Sequence, residues 1–359
     1  MTAVESTASD EPTPPGVRTT DGQTTTAVCA AVCFLVTDEG GRILLDALNH
    51  RAGVIGPGET PTSAVSRKTA SELGLAVPSP RGLAVDWIPA APGRPAEIVY
   101  VYDGGTLTPA QIRAILSREQ ELRGPQFIEP AALSEYMTPG DARRALAALR
   151  ARINGGGPTL LEDGRPTDPT VLDELEVLRT ARKAQSWPWH AEPVTPGLRV
   201  KQSWGWCFSP AGRVLVLIGE DTGSACLPGG STALTGPAPD RPETPAETLH
   251  REAWEEARVR LREPLHLGYL YDQYDNAGPC ARVRMAAMLT SVGPVTEDEA
   301  TGQTYARILA TPEQVIQLFD WGREGPRQLE AVHAARELLG LPRAGRQPVT
   351  QLPVEGGVS

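Results

Sequence analysis

Apolar residues first crowd together at 26–36 and again at 42–48, on either side of the polar turn Asp38-Glu39-Gly40-Gly41. Apolar runs of this length around such a turn predict a strand pair. The spacing at 60–73 predicts a helix, and 82–88 and 97–102 predict two further strands. A helix at 109–116, a short strand at 127–128 and the start of a helix at 130–136 follow. The Ala/Leu/Arg-rich stretch 141–153 is helical by the same periodicity. Gly155-Gly156-Gly157-Pro158 then breaks the chain. Beyond it one helix is expected at 169–183, with Asp168 as its N-cap. Trp187-Pro188-Trp189-His190 follows, read as aromatics packed on a neighbouring domain. Strands at 200–208, 213–218, 266–271 and 281–290 come next, and helices at 312–319 and 328–339 close the pattern.

Residues 243–259, ETPAETLHREAWEEARV, carry the most specific chemistry. Glu252, Glu255 and Glu256 fall at i, i+3 and i+4, which puts three carboxylates on one side of a helix. Ala246, Leu249, Ala253 and Ala257 form an apolar stripe beside them. Carboxylates this close repel unless a positive charge lies between them, and a hard divalent cation with oxygen ligands is the natural neutraliser. The Glu-Glu pair alone would equally suit a solvated surface helix. Arg251, the spacing from Glu243 and the preceding Leu227-Pro228-Gly229-Gly230 turn favour the metal site.

A buried-type strand at 213–218, a glycine turn and this acidic helix together resemble the Nudix box, the signature of the Nudix hydrolases. That pattern runs Gly, five residues, Glu, seven residues, Arg-Glu, an apolar residue, any residue, Glu-Glu, any residue, Gly and an apolar residue. Here the part from Glu243 to Glu256 matches, and Val259 closes it. Twelve residues, 231–242, separate Gly230 from Glu243, an insertion of seven beside the Gly229 carbonyl. Arg258 stands at the family's last glycine, where a left-handed residue with a side chain costs roughly 1 kcal/mol.

The same pattern occurs a second time, damaged. Arg67-Lys68-Thr69-Ala70-Ser71-Glu72-Leu73-Gly74 aligns with the box helix without gaps, Glu59 matching Glu243 and Arg67 matching Arg251. Lys68 replaces the counterpart of Glu252, Ser71 that of Glu255, and Glu72 alone remains. The glycine turn reads as contracted to Val54-Ile55-Gly56-Pro57-Gly58. This copy is expected to keep a Nudix-like fold without the metal site, as a nucleotide-binding or docking surface. The expected architecture is α/β: two Nudix-type α/β/α sandwich domains with mixed sheets. A disordered tail covers 1–23, a degenerate Nudix-like domain 24–153, a linker with one helix 154–197, a catalytic Nudix domain 198–342, and a second disordered tail 343–359.

Bulk composition agrees with two domains, since the chain has 359 residues and 40% hydrophobic content. A net charge of −10, with no cluster of Lys and Arg, argues against a nucleic-acid surface. The longest apolar run, 27–36, is too short to cross a bilayer, so no membrane partner is expected. Five cysteines without paired spacing, and no leader, point to a reducing cytoplasm, with Cys29 and Cys33 as buried thiols.

The resemblance implies metal-dependent hydrolysis of a pyrophosphate bond in a nucleoside diphosphate linked to another moiety. The implied metal is Mg²⁺, with Mn²⁺ as its substitute, and the partner is a nucleotide-type small molecule. Glu252, Glu255 and Glu256 would hold the metal, with the Gly229 carbonyl as a further ligand. Arg251 would orient the carboxylates by a bidentate pair to Glu252 or Glu255, and Glu243 would brace the loop. The proton acceptor is Glu255 or a member of the cluster Glu297-Asp298-Glu299. Tyr269, Tyr271, Tyr274, Arg282 and Arg284 are candidates for a base pocket, or ordinary strand packing. A tandem chain supplies its own pairing, so a monomer is expected, with a homodimer as the alternative. A non-catalytic tandem protein that binds or senses a nucleotide is the other reading. The intact Arg-Glu and Glu-Glu of the second copy favour the enzyme.

Overall fold

The computed structural model describes residues 17–352, apart from 21–22, 27, 49–52, 75–79, 117–125, 181–186, 235–236, 238–240, 263, 299–300, 320 and 322–323. A pair of short strands, β1 (Val17–Thr20) and β2 (Gln23–Thr26), opens it. Then come β3 (Cys29–Asp38), β4 (Ile43–Leu44), α1 (Pro61–Glu72), β5 (Gly82–Ile88), β6 (Glu97–Leu107), α2 (Pro109–Leu116) and β7 (Phe127–Ile128). The first half ends with α3 (Pro139–Asn154), β8 (Thr159–Glu162), β9 (Arg165–Pro166) and α4 (Val171–Glu174). Its sheet has the order β7-β4-β3-β6-β5-β8-β9. The pairs β3/β6 and β5/β8 are parallel and the other neighbours antiparallel, so the sheet is mixed.

The second half holds β10 (Trp189–His190), β11 (Arg199–Phe208), β12 (Val214–Gly219), β13 (Ala225–Cys226), β14 (Gly229–Ser231) and α5 (Pro245–Ala257). It continues with β15 (Val259–Leu261), β16 (Leu265–Asp272), β17 (Cys280–Val292), β18 (Tyr305–Ala310), α6 (Pro312–Leu318), α7 (Glu324–Leu338) and β19 (Thr350–Gln351). The main path is β10-β16-β17-β11-β12-β18-β19, again mixed through the parallel pair β11/β17. The internal repeat is visible in the strand order. β4-β3-β6-β5 in one sheet corresponds to β12-β11-β17-β16 in the other, with α1 and α5 at equivalent places.

Alternation along the strands decides what each face meets. In β3, Val32, Phe34 and Val36 pack toward Ala64 and Val65 of α1, whereas Cys33 and Leu35 point the other way. In β12, Leu215 and Leu217 join Leu249 and Ala253 of α5, whereas Val214, Val216 and Ile218 point the other way. The two "other" faces share one continuous core, filled by Ala148 and Leu149 of α3 and by Val315 and Val332 of α6 and α7. Each box helix therefore covers an outer face, and the two halves are joined across the inner ones. Five of the described helices begin in the same way, with a Thr cap followed by Pro: Thr60-Pro61, Thr108-Pro109, Thr138-Pro139, Thr244-Pro245 and Thr311-Pro312. The Thr oxygen accepts an amide of the first turn and Pro needs no partner there.

Several expectations change. Residues 154–197 are more than a connection: β8 and β9 extend the first sheet and β10 the second. The helix expected at 169–183 is helical only over Val171–Glu174, with Thr170 as its cap, and 181–186 lie outside the described residues. Residues 130–135 form a 3-10 helix. Beyond Pro342, the polar, Pro-containing residues 343–352 pack rather than trailing away, and 353–359 lie outside the described residues. Val349 and Leu352 are buried, β19 pairs with β18, and Arg213 donates to the carbonyls of Leu309 and Pro348. At the other end β1, within the stretch 1–23 expected as a tail, pairs with β2, which begins at the last residue of that stretch; 1–16 and 21–22 lie outside the described residues. Cys29 is exposed and Cys33 buried, and all five cysteines are free. Among the described residues no helix is long and apolar enough to cross a membrane.

Candidate functional site

The site is built where α5 crosses the turn between β13 and β14. Leu249, Ala253 and Ala257 anchor the inner side of α5. This leaves Glu252, Glu255 and Glu256 toward the turn. A Cβ at Gly230 would stand 2.4 Å from Glu252 Oε1, so any larger residue there would push the Glu252 carboxylate aside. The Gly229 amide donates to Glu256 Oε2 at 2.9 Å.

Arg251 does not fork onto Glu252 or Glu255. Its bidentate partner is Glu243, with Nε–Oε1 at 2.8 Å and Nη2–Oε2 at 3.1 Å. Single contacts reach Glu255 at 2.8 Å, Glu252 at 3.0 Å and the Ser231 carbonyl at 3.0 Å. The Glu243 carboxylate accepts from two nitrogens of the fork and is itself fixed from behind, by the Ala233 amide and the Thr248 hydroxyl, each at 3.0 Å. Burial works against the charged form of Glu243, yet Arg251 and the Ala233 amide hold its pKa below the ordinary value.

The insertion falls between the Gly230 turn and the braced Glu243. Ala233 and Glu243 exchange contacts at the base of the loop, as Gly56 and Glu59 do in the first half. Nine residues, 234–242, lie between the first pair and two, 57–58, between the second. The seven extra residues thus fall outside the turn, which stays paired with β11 through Ser203/Gly230 and Trp204/Gly229.

This comparison also corrects the first copy. Arg67 forks onto Glu59 at 2.9 Å through both nitrogens and reaches the Val54 carbonyl, as Arg251 reaches Ser231. Val54 therefore corresponds to Ser231 and Gly53 to Gly230. The turn is not contracted: five residues separate Gly53 from Glu59. A Cβ at Gly53 would stand 3.2 Å from Lys68 Cδ, where Glu252 approaches Gly230. Lys68 is buried, lies 3.7 Å from Glu72 and sits over the Phe34 ring.

Charge at α5 is unbalanced. Burial, then the neighbouring charges of Glu252, Asp298 and Glu255, push Glu256 up to about 8, against the relief of the Gly229 amide. Burial also raises Glu252, with Arg251 opposing and Glu255 and Asp298 adding to the shift. Of the cluster 297–299, Asp298 is thus the member within electrostatic reach of α5. It is buried in a turn closed by Thr301 and Gln303, and Glu299 lies outside the described residues. Tyr305, not singled out by its sequence context, feels Glu256, Asp298 and Glu252 as well, after the effect of burial, and its phenol is raised. Such excess negative charge on hard oxygen donors fits a divalent cation. The three glutamates are splayed, Glu252 and Glu255 toward Arg251 and Glu256 toward Gly229. Asp272, Asp275 and Cys280 do converge within 4.8 Å of one another, but Asp272 is held by Arg282 and Asp275 by Arg199 and Lys201.

A cleft of about 290 Å³ opens beside the turn, lined by Trp187, Trp204, Leu227, Arg282, Arg284 and Trp321. Arg282 lies 4.0 Å over the Trp187 ring and is held by Asp272. Arg284 is 7% exposed, has no ion pair among the described residues, and leaves Nε without a partner. Burial, and then Arg282, bring its pKa down to about 9. The tyrosine candidates lie elsewhere. Tyr269 stacks on His190 and Tyr271 meets that ring edge-on, while Tyr274 is 76% exposed. Trp187 and Trp321 approach the cleft from distant parts of the chain, which local spacing does not signal.

No protein-family model matches the sequence, and comparison with curated proteins gives no match. Solved structures do match. Over about two fifths of its length the chain is similar to Nudix hydrolases. The pyrophosphohydrolase BsRppH of Bacillus subtilis is 17% identical, with 41% of this chain and 90% of that one covered and a TM-score of 0.32. A Nudix hydrolase from Nitrosomonas europaea is 15% identical over 38% and 90%, with a TM-score of 0.29. A UDP-X diphosphatase is 13% identical over 40% and 68%, with a TM-score of 0.30. The likeness is one of fold.

Proposed function

We propose that the half containing α5 is a Nudix pyrophosphohydrolase acting on a nucleoside diphosphate linked to another moiety, and that the half containing α1 is its non-catalytic counterpart. The observation that carries this reading is the excess of partly buried carboxylate on α5, packed against a glycine turn that Arg251 and Glu243 brace. Glu252, Glu255 and Glu256 would hold Mg²⁺ or Mn²⁺, with the Gly229 carbonyl as a further donor. A bound divalent ion supplies neutralisation of the pyrophosphate and a lower pKa for an attacking water.

The chain's own residues supply orientation. Arg251 is a positioning residue, holding Glu252 and Glu255 from a fork anchored on Glu243. Glu255 has a side chain 34% exposed against 14% for Glu252. It is the acceptor we assign for the water's proton, and Asp298 is the second candidate. The tryptophan cleft would take the nucleoside end, the flat base lying against indole rings and an acceptor on the substrate meeting Arg284. Lys68 and Ser71 leave the first half without such a ligand set, which supports one metal site per chain.

A panel of nucleoside diphosphate derivatives incubated with the full chain and Mg²⁺ tests this. Release of a nucleoside monophosphate that stops with chelator is expected. Tight binding of nucleotides without turnover of any panel member would replace the enzyme by the non-catalytic binder.

A further inference from the structure

A cavity of about 650 Å³ lies in the seam between the two halves and shares no lining residue with α5 or the tryptophan cleft. The first half contributes Arg81, Asp103 and Arg152 to its wall, and the second half Glu313, Arg343 and Arg346. Its floor is fixed by Gln314, whose side-chain amide donates to the carbonyls of Ile153 at 3.1 Å, Asn154 at 3.2 Å and Gln347 at 2.9 Å.

Four guanidiniums face two carboxylates here, in a chain whose net charge is −10. Asp103 is shared by Arg152 at 2.9 Å and Arg81 at 3.4 Å. Burial first, and the charge of Arg81 in addition, lower the pKa of Arg152, and its Nε has no hydrogen-bond partner. Glu313 is likewise shared, by Arg343 at 3.1 Å and His333 at 3.2 Å. Arg346 has no carboxylate partner among the described residues. Its side chain lies over Gly155, where a Cβ would stand 2.7 Å from Arg346 Nε. Crowded guanidiniums in a partly enclosed cleft repel one another, and an anion with several acceptor oxygens relieves them while satisfying the planar forks. The volume lies within the range of small-molecule pockets.

We propose that this seam binds a small phosphate monoester of sugar or nucleoside size, distinct from the pyrophosphate substrate, and that its ligand clamps the two halves together. The class follows from the surplus of arginine. The clamp follows from the wall, since each half contributes two of the four cations.

The test is calorimetric titration and thermal unfolding of the full chain in chelator, so that the α5 site has no divalent ion. The probes are ribose 5-phosphate, AMP and inorganic phosphate. Ribose 5-phosphate or AMP is expected to bind and to raise the unfolding midpoint, and the stronger of the two tells a sugar phosphate from a nucleotide. Arg346→Glu, at an exposed side chain that the fold does not need, should weaken binding by about tenfold or more, the loss of a charge-assisted contact. Arg346→Lys should weaken it less, and Glu256→Gln should leave it unchanged. Absence of heat and of any midpoint shift with all three probes would overturn the proposal. So would equal binding by Arg346→Glu, or binding only by inorganic phosphate, or loss of binding in Glu256→Gln.

Discussion

Glu256 sits where burial and the charges of Glu252, Asp298 and Glu255 raise its pKa from 4.5 to about 8, against the single relief of the Gly229 amide. The folded chain therefore holds this proton more tightly than the unfolded chain does. The associated stability is fully present below pH 4.5 and is lost as pH rises through about 8. Without divalent ions, the unfolding midpoint of the wild type should fall relative to Glu256→Gln across that window. A constant difference between the two would contradict the assignment. Mn²⁺ has to displace the same proton, so its affinity should rise with pH up to about 8, which titration calorimetry at several pH values checks. Arg284 invites a second test. Arg284→Met keeps the volume but removes the buried charge, so KM should rise by about tenfold or more with the apo fold no less stable, because the charge is unmatched until substrate arrives.

At the scale of the element, α1 and α5 are one design carrying different charges. Glu59-Arg67 and Glu243-Arg251 make the same brace; the spacing singled out these residues but paired Arg251 with Glu252 or Glu255 instead of Glu243. The register of the first glycine turn was not legible, because Gly58 stands next to Glu59 in sequence while Gly53 is the residue that packs against the helix. The inserted loop yields a prediction. Replacing 234–242 by Pro-Gly, as in the first half, should leave stability within about 0.5 kcal/mol and keep metal affinity, since the brace lies inside the cut. Loss of metal binding in a folded deletion variant would show that the loop shapes the site. At the end of α5, Arg258 adopts φ 50° and ψ 40°, with its side chain on Trp254 and hydrogen-bonded to Thr296. Arg258→Ala and Arg258→Gly both lose those contacts, but only alanine keeps a Cβ in the left-handed region. Chemical denaturation should find alanine about 1 kcal/mol the less stable.

For the whole molecule, the apolar runs of β3 and β12 predicted strands but could not say what would cover each of their faces. The inner faces meet in one core, an arrangement that depends on contacts between residues more than a hundred positions apart. The same reason hid the packing of Val349 and Leu352 and the convergence of Trp187, Trp204 and Trp321. Asp298 was legible only as one acid among three. Because Leu35, Ala148, Val216 and Val315 belong to a single cluster, the halves should unfold together. Calorimetry should show one transition with equal calorimetric and van't Hoff enthalpies, and two resolved transitions would contradict the shared core. The central claim is that the chemistry belongs to α5 and that α1 has lost it. The most direct measurement compares Mg²⁺-dependent release of nucleoside monophosphate by the wild type, Glu256→Gln and Glu72→Gln, each confirmed as folded. We predict a loss of about two orders of magnitude for Glu256→Gln, as for one lost electrostatic contact at a reacting centre, and near-wild-type turnover for Glu72→Gln. Turnover abolished by Glu72→Gln and kept by Glu256→Gln would reverse the roles of the two halves.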